Sequence, residues 1–265
     1  MNDTRSETSA RLPVSVFIIA CNEADRITKC ITSVQNWVAE VVVIDSGSTD
    51  ETVSVVKSLG ARVLFREWRG YGSQKVFGES QCGNNWILNI DADEEISDGL
   101  RTEIAALFQG GEPPCIAYRL PILPVYPFQT QGHPWTISNR PVRLYNQRYA
   151  GFRDHPVHDS VTVRTGSIGT LKESVLHRSF RSLSHHVDKV NRYSSAQAET
   201  LFQSDRRPTL WGLLLLPPLA FLKSYLLRRE FVNGIDGIVI SYMYAFQRFI
   251  RIAKARERFQ QEERE

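Results

Sequence analysis

Hydrophobic positions in the first 110 residues follow two different periods. Four short, mostly apolar runs predict strands, and near-continuous runs of this kind are typical of parallel strands covered on both faces. The runs lie at residues 14–20, 41–44, 62–65 and 86–90. Between them, apolar residues recur at helical spacing, as in Ile27, Cys30, Ile31 and Val34. Such alternation predicts an α/β fold with a mainly parallel sheet and helices on both faces.

Local signals predict where these helices begin and end. Asn22 can cap the first helix, and Ser48 followed by Glu51 has the pattern of a capping box. Gly60 is placed to end the second helix, and Ser97 to begin the fourth. A third helix is expected over residues 73–82.

The last sixty residues have a different character. A helix is expected over residues 181–204, followed by an apolar run that Pro217 and Pro218 interrupt. That run is judged too short and broken to span a bilayer. Residues 206–265 carry 11 Lys/Arg against 6 Asp/Glu, whereas residues 1–205 carry 21 against 23. Apolar surface beside positive charge predicts a helical extension lying on an anionic membrane surface, and it favours a membrane over nucleic acid as the anionic partner. The alternatives are an oligomer interface or a helical cap on the core.

Composition sets further bounds. The 265 residues are 42% hydrophobic, enough for one full domain with a smaller extension. The four cysteines form no C-x-x-C pair, which favours reduced thiols in a cytosolic protein. The first eleven residues are polar and lack the apolar core of a signal peptide, so export by that route is not expected.

Two carboxylates follow the fourth predicted strand. Asp91 and Asp93 would lie at the carboxyl edge of the sheet, where open α/β folds bind ligands. Crowded carboxylates favour a hard cation such as Mg²⁺ or Mn²⁺. Residues 20–23 lack the G-x-G-x-x-G pattern of a dinucleotide fold, and no G-x-x-x-x-G-K-[ST] loop occurs. A bound diphosphate would therefore depend on a metal.

Four segments together resemble family 2 glycosyltransferases of the GT-A fold: V-S-V-F-I-I-A-C-N-E, V-V-V-I-D-S-G-S-T-D-E-T, G-S-Q-K and W-I-L-N-I-D-A-D-E. The later segments N-R-P-V-R-L-Y, V-H-D and L-H-R-S-F are similar to one branch, the lipopolysaccharide core glucosyltransferases acting on heptose. The resemblance implies a GT-A catalytic domain at 13–180, preceded by a polar terminus at 1–12 that is expected to be disordered. That domain would have a nucleotide-binding half at 13–112 and an acceptor half at 113–180, followed by the membrane-associating extension at 181–265.

The resemblance also implies roles for individual residues. Asp45 would receive the base, Asp91 would face the ribose, and Asp93 would bind Mn²⁺ or Mg²⁺. His177 is a candidate further metal ligand. The rest of the nucleotide site would be formed by Ala20, Asn22, Glu23, Gln74, Lys75 and Ala92. Three of these residues also have an ordinary structural alternative: Asp45 as a helix cap, Glu23 as a first-turn acid, and Lys75 as a solvated helix residue.

Inverting glycosyl transfer needs a base that takes the proton of the attacking hydroxyl. The candidate is Asp159, with Asp154 as the fallback. Related transferases have His-Glu where this chain has His158-Asp159. His158, Arg140 and Arg143 would contact the acceptor or the diphosphate, since guanidinium groups suit anions; surface ion pairs are the alternative for the arginines.

These inferences predict a metal-dependent, inverting hexosyltransferase at the cytoplasmic face of the inner membrane. Its partners would be a UDP-sugar, with UDP-glucose leading, and a membrane-anchored glycolipid, best matched by lipopolysaccharide inner-core heptose; no nucleic acid is expected. One rival is a sugar-phosphate nucleotidyltransferase, which would need a glycine- and arginine-rich loop after the first strand. The other is a non-catalytic nucleotide-sugar-binding scaffold at the membrane.

Overall fold

A computed structural model describes residues 11–127, 129–136, 139–154 and 160–264. Residues 1–10 of the predicted disordered terminus lie outside these ranges. The chain divides into two compact units, one from 1–123 with 138–177 and one from 124–137 with 178–265. The domain boundaries expected at residues 112 and 180 stay predictions.

The first unit is built on a seven-stranded sheet in the order β11-β6-β8-β4-β1-β2-β3. All neighbouring pairs are parallel except those of β8, which runs against both β4 and β6. A three-stranded sheet, β5-β12-β7, and the hairpin β9-β10 complete the unit. The strands are β1 Leu12–Ala20, β2 Val38–Asp45, β3 Arg62–Phe65, β4 Trp86–Asn89, β5 Glu94–Ile96, β6 Ala117–Arg119, β7 Ile122–Pro124, β8 Val142–Asn146, β9 Ala150–Phe152, β10 Val161–Val163, β11 Ile168–Thr170 and β12 Val175–His177.

Alternate residues of β1 face two separate hydrophobic cores. Val16 and Ile18 pack with residues of α1, α2 and α4 on one face of the sheet. Phe17 packs on the other face, beside α3. A Cβ at Gly78 of α3 would lie 2.6 Å from the Phe17 ring, so a glycine lets this helix approach the sheet closely. The helices of this unit are α1 Ile27–Thr32, α2 Thr52–Ser58, α3 Tyr71–Ser80 and α4 Asp98–Phe108. The predicted α/β architecture is confirmed.

Two of the predicted helix caps are wrong. Asn22 adopts a left-handed conformation (φ 57°) and lies outside α1, whose N-cap is Arg26. The expected capping box at Ser48 does not form, because that hydroxyl is directed at Asp45. Ser97 does cap α4, accepting a hydrogen bond from the Leu100 amide.

The second unit is mainly helical, with α5 Leu183–Gln203, α6 Leu210–Leu222 and α7 Gly234–Glu262. A π-helical turn, Lys223–Leu227, continues α6, and a 3₁₀ turn, Glu230–Asn233, precedes α7. The predicted break at Pro217 and Pro218 is wrong, since α6 runs through both prolines. The expectation that this run is too short to span a bilayer is also wrong by length and composition alone, since Leu210–Leu227 is, within the described residues, the one helical segment long and apolar enough to cross a membrane.

Candidate active site

The sheet brings the ends of three parallel strands to one edge. Ala20 pairs with Asp45 at the ends of β1 and β2, and Phe17 pairs with Asn89 at the end of β4. Asp91 and Asp93 follow β4 directly, so they lie at the same edge as Asp45. This is the position that the alternation of strands and helices predicted for a ligand site.

Asp45 organises the turn that follows β2. Its side chain is buried, and its Oδ2 accepts hydrogen bonds from the amides of Gly47 (2.9 Å) and Ser48 (3.0 Å). Gly47 adopts φ +101°, a conformation that favours glycine. The Ser48 hydroxyl donates to the second carboxylate oxygen. The local bonds fix the carboxylate at the sheet edge; its contact with a nucleotide base stays a prediction.

Asn22 joins the loops that follow β1 and β2. Its side-chain Oδ1 accepts hydrogen bonds from the backbone amides of Thr49 (2.8 Å) and Asp50 (3.3 Å). Its own backbone amide donates to the Ser48 hydroxyl (2.9 Å). The adjacent Glu23 amide donates to the Thr52 hydroxyl (2.8 Å). The two loops therefore form one surface beside Asp45, which is where the sequence placed the nucleotide.

The α3 residues Gln74 and Lys75 are both buried, at 0% and 2% exposure. Gln74 donates to Ser46 Oγ (2.9 Å) and to the Arg66 carbonyl (3.0 Å), while its Oε1 has no hydrogen-bond partner among the described residues. Lys75 Nζ lies 3.2 Å from Asp91 Oδ1. The alternative of a solvated helix lysine is thus excluded, because the Lys75 side chain is buried and its ammonium group contacts Asp91.

Arg143 holds Asp91 from the opposite side. Its guanidinium donates to Asn89 Oδ1 (2.7 Å), Asp91 Oδ2 (2.9 Å) and Glu94 Oε1 (3.0 Å). Burial alone would raise the pKa of Asp91, but the charges of Arg143 and Lys75 outweigh burial and hold it well below its usual range. Asp91 is therefore an ionised, fixed carboxylate whose two oxygens each face a cation.

Glu94 is a buried member of the site that sequence reasoning missed. It is 2% exposed, and its Oε2 accepts a hydrogen bond from the Asp91 amide (2.9 Å). Burial raises the pKa of Glu94 to about 7, against the opposing charge of Arg143. The available signal was the alternation in β5, where Glu94 shares the buried face with Ile96.

Strand pairing brings His177 to Asp93. β12 runs antiparallel to β5 with His177 opposite Glu94, so the histidine lies beside the residue preceding β5. His177 Nε2 lies 3.3 Å from Asp93 Oδ2, and Arg26 Nη1 lies 3.5 Å from the same oxygen. Burial opposes ionisation of Asp93, but the hydrogen bond and charge of His177 keep its pKa below the usual value. The sequence proposed these two residues for a metal, and the fold brings them together.

The donor atoms of Asp93 and His177 suit a divalent cation. Carboxylate oxygen and imidazole nitrogen both bind Mn²⁺, and the two atoms are near enough to contact one ion. Within the described ranges, no group of three or more His, Cys, Asp or Glu side chains could hold a metal ion. The diphosphate of a nucleotide has oxygen atoms of the kind that such a cation also binds.

Among the residues predicted to act on the acceptor side, Arg140 and Arg143 lie in the described part of the chain. His158 and Asp159 lie outside the described residues. Arg140 is exposed, whereas Arg143 is buried against the site. Lys75 and Arg143 line a cavity of about 540 Å³ on the β6–β8 side of Asp91, and Arg119 also borders it. Because β6 is parallel to β4, Arg119 at its end lies at the same sheet edge as the two aspartates.

The family model Glycosyl transferase family 2 matches residues 15–180, more than half of the chain. Taken with the sheet and the paired aspartates, this match confirms a GT-A-like glycosyltransferase fold. The chain belongs to glycosyl transferase family 2, and it is therefore an enzyme of the glycosyltransferase class.

Two glycosyltransferases are similar to this chain over most of its length. An uncharacterized glycosyltransferase of Rickettsia felis is 41% identical over 253 residues, covering 92% of this chain and 89% of that protein. The lipopolysaccharide core biosynthesis glycosyltransferase LpsC of Rhizobium meliloti is 32% identical over 257 residues, covering 94% and 93%. Among solved structures, S. aureus TarS 1–349 in complex with UDP has a TM-score of 0.48 at 14% identity, covering 95% and 92% of the two chains.

Proposed function

We propose that this enzyme transfers a hexose, with inversion, from a UDP-sugar to a membrane-anchored glycan. Glucose is the proposed hexose, and lipopolysaccharide inner-core heptose the proposed acceptor. The observation that carries the proposal is the pairing of Asp93 with His177, 3.3 Å apart, beside an Asp91 that two cations keep ionised. The LpsC relative supports a lipopolysaccharide core acceptor.

The donor would occupy the edge formed by β1, β2 and β4. Asp45 would accept the imide N–H of uracil, and the loop residues Asn22 and Glu23 would line the nucleotide with Ala20 and Ala92. Gln74 fits such a site because its buried Oε1 has no partner among the described residues. Asp91 would face the ribose while Lys75 holds it in place.

Asp93 and His177 would hold Mn²⁺ or Mg²⁺ against the diphosphate. When bound, the ion would neutralise negative charge on the departing diphosphate. The protein's part is to keep both side chains at one point, which the β5–β12 pairing does. Arg26, 3.5 Å from Asp93, would have to share that carboxylate with the ion.

The acceptor would enter from the side of β6 and β8. The cavity of about 540 Å³ there has room for a sugar ring and is lined partly by Arg119 and Arg143. Asp159, with His158 beside it, is proposed as the base that accepts the proton of the attacking hydroxyl. Arg140 is proposed to contact anionic groups of the acceptor.

Attachment to the cytoplasmic face of the inner membrane is proposed for the helical unit. Large apolar side chains of α6 are exposed, including Trp211 at 69% and Leu219 at 56%. Lys223, Arg228 and Arg229 follow this apolar segment directly. Apolar surface next to basic residues favours an interface with anionic lipids.

A donor screen with matched variants tests the proposed chemistry. Purified full-length enzyme would be incubated with UDP-glucose, UDP-N-acetylglucosamine or GDP-mannose, with Mn²⁺ or with chelator, and free nucleotide measured. The expected result is UDP release that depends on Mn²⁺ and is lost in D93N but kept in D98N, an exposed aspartate outside the site. Release of pyrophosphate from UTP and a sugar phosphate would contradict the proposal.

The proposed base has its own test. Asp159→Asn should lose transfer while binding UDP normally, because the residue acts on the acceptor and not on the donor. Asp154→Asn tests the fallback base in the same assay and should retain transfer if Asp159 is the base. Undiminished transfer by D159N would remove Asp159 from the mechanism.

A further inference from the structure

The unit formed by residues 124–137 and 178–265 contains a cavity of its own, of about 260 Å³. Its apolar lining comes from three separate segments. The lining side chains are Tyr126, Pro127, Phe180, Leu183, Val239 and Ile240. For comparison, an apolar protein cavity of about 150 Å³ stays dry and takes up benzene. A cavity of this size and lining therefore suits a larger apolar group.

The cavity walls are fixed by buried polar contacts. The Tyr126 ring stacks on Phe180, with centroids 6.1 Å apart, and its hydroxyl donates to Glu230 Oε2 at 2.6 Å. Asn233 Nδ2 donates to the same oxygen at 2.9 Å. A Cβ at Gly237 would lie 1.8 Å from the Glu230 carbonyl oxygen, so α7 packs tightly on this network. The cavity is thus a preformed site, as binding pockets usually are.

The cavity opens onto the exposed apolar face of α7. Val239 lines it and is still 37% exposed, and Leu183 on α5 is 57% exposed. Ile235, one turn before Val239 on α7, is 80% exposed. Part of the mouth of the cavity is therefore apolar and exposed, beside the polar residues that also border it.

The rim of the cavity carries one guanidinium and one carboxylate, and a negatively charged end of the occupant would lie at the guanidinium. Arg181 borders the cavity, together with Ser182 and His186. The one carboxylate among the lining residues, Asp236, accepts a hydrogen bond from Gln129 Nε2 at 2.9 Å. A hexose does not match this site, since the lining offers few polar groups for its hydroxyls.

We propose that this cavity binds one acyl chain of an anionic membrane lipid, with the lipid phosphate at Arg181. The occupant would contact the 124–127 segment, the start of α5 and α7 together, and so link the helical unit to the membrane beyond surface adsorption. The inference rests on the membrane-facing part of the proposed function and is independent of the transfer chemistry.

Titration of the full-length protein with decyl phosphate, kept below its micelle concentration, tests the site by calorimetry. Val239→Trp and Leu183→Trp fill the mouth of the cavity from two different helices, and Ile235→Trp adds the same side chain outside it. The wild type and I235W should bind one equivalent, and both filling variants should bind at least about tenfold more weakly. Thermal unfolding midpoints would show that the variants are folded.

Three further arms identify the ligand chemistry. Inorganic phosphate should not compete, decyl maltoside should bind more weakly than decyl phosphate, and Arg181→Ala should remove that difference. Unchanged binding in both filling variants, or no saturable binding by the wild type, would overturn the proposal. Sedimentation with vesicles containing phosphatidylglycerol separates membrane attachment from the acyl-chain site. If the protein does not sediment with the vesicles, membrane attachment is refuted. If it binds vesicles but not decyl phosphate, only the acyl-chain site is refuted.

Discussion

Replacing Arg143 with methionine should destabilise the fold around the paired aspartates. Arg143 is 8% exposed, and its guanidinium donates to Asn89, Asp91 and Glu94. Methionine has a similar length and no donor, so all three acceptors would lose a bond. Asn89 and Glu94 are almost fully buried and cannot replace that bond with water.

The size of the loss follows from these contacts. Removing one partner of a buried ion pair costs about 3–5 kcal/mol, because a buried charge is left uncompensated. Two features favour the lower end: methionine fills much of the volume, and Glu94, whose pKa is already about 7, can take up a proton. A loss of about 3 kcal/mol corresponds to about 6–12 °C in Tm for a unit of this size.

Urea and thermal unfolding at pH 7 measure the effect, with Arg140→Met as the matched control. Arg140 lies three residues away and is exposed, so its replacement should change stability by less than about 0.5 kcal/mol. Adding Glu94→Gln to R143M should recover part of the loss, since it removes one uncompensated carboxyl. Equal stability of R143M and R140M would refute the view that Arg143 supports the aspartate loop.

Three other predictions concern the same unit. Gly78→Ala should cost about 1–3 kcal/mol by urea unfolding, because its Cβ meets the Phe17 ring at 2.6 Å, whereas Gly110→Ala has open space and should not. The pKa of Glu94 is about 7 in the folded protein, above its ordinary 4.5. The contribution of Glu94 to the free energy of unfolding is therefore full below pH 4.5 and is lost as pH rises towards 7. The stability of Glu94→Gln relative to wild type should rise over that range, and a difference that does not change with pH would contradict this. Lys75→Met should weaken UDP binding at least about tenfold in calorimetry, because Asp91 loses one of its cations, and unchanged affinity would contradict the role of Lys75.

The fold was predictable where the signal is periodic. The strand expected at residues 14–20 is observed as Leu12–Ala20, and the helix expected at 73–82 as Tyr71–Ser80. The strand was predictable because its near-continuous apolar run is buried on both faces of the sheet. The paired aspartates were also placed correctly at the sheet edge, because their position depends only on the strand before them.

Signals that depend on a single side chain were less reliable. Asn22 and Ser48 have residue types that cap helices, yet both bond to the loop at the end of β2. Pro217 and Pro218 were expected to stop a helix, but α6 continues through them. The alternation in β5 could have predicted that Glu94 is buried, but not its partner, since Arg143 is distant in sequence. Long-range contacts of this kind are not contained in local periodicity.

The central claim is that Asp93 and His177 together hold a divalent cation against the diphosphate of the donor. Electron paramagnetic resonance of Mn²⁺ titrated into the enzyme with saturating UDP measures this directly. We expect one UDP-dependent Mn²⁺ site in the wild type and in D98N, weakened at least about tenfold in D93N and in His177→Ala. Mn²⁺ binding that is unchanged in D93N, or equally tight without UDP, would contradict it.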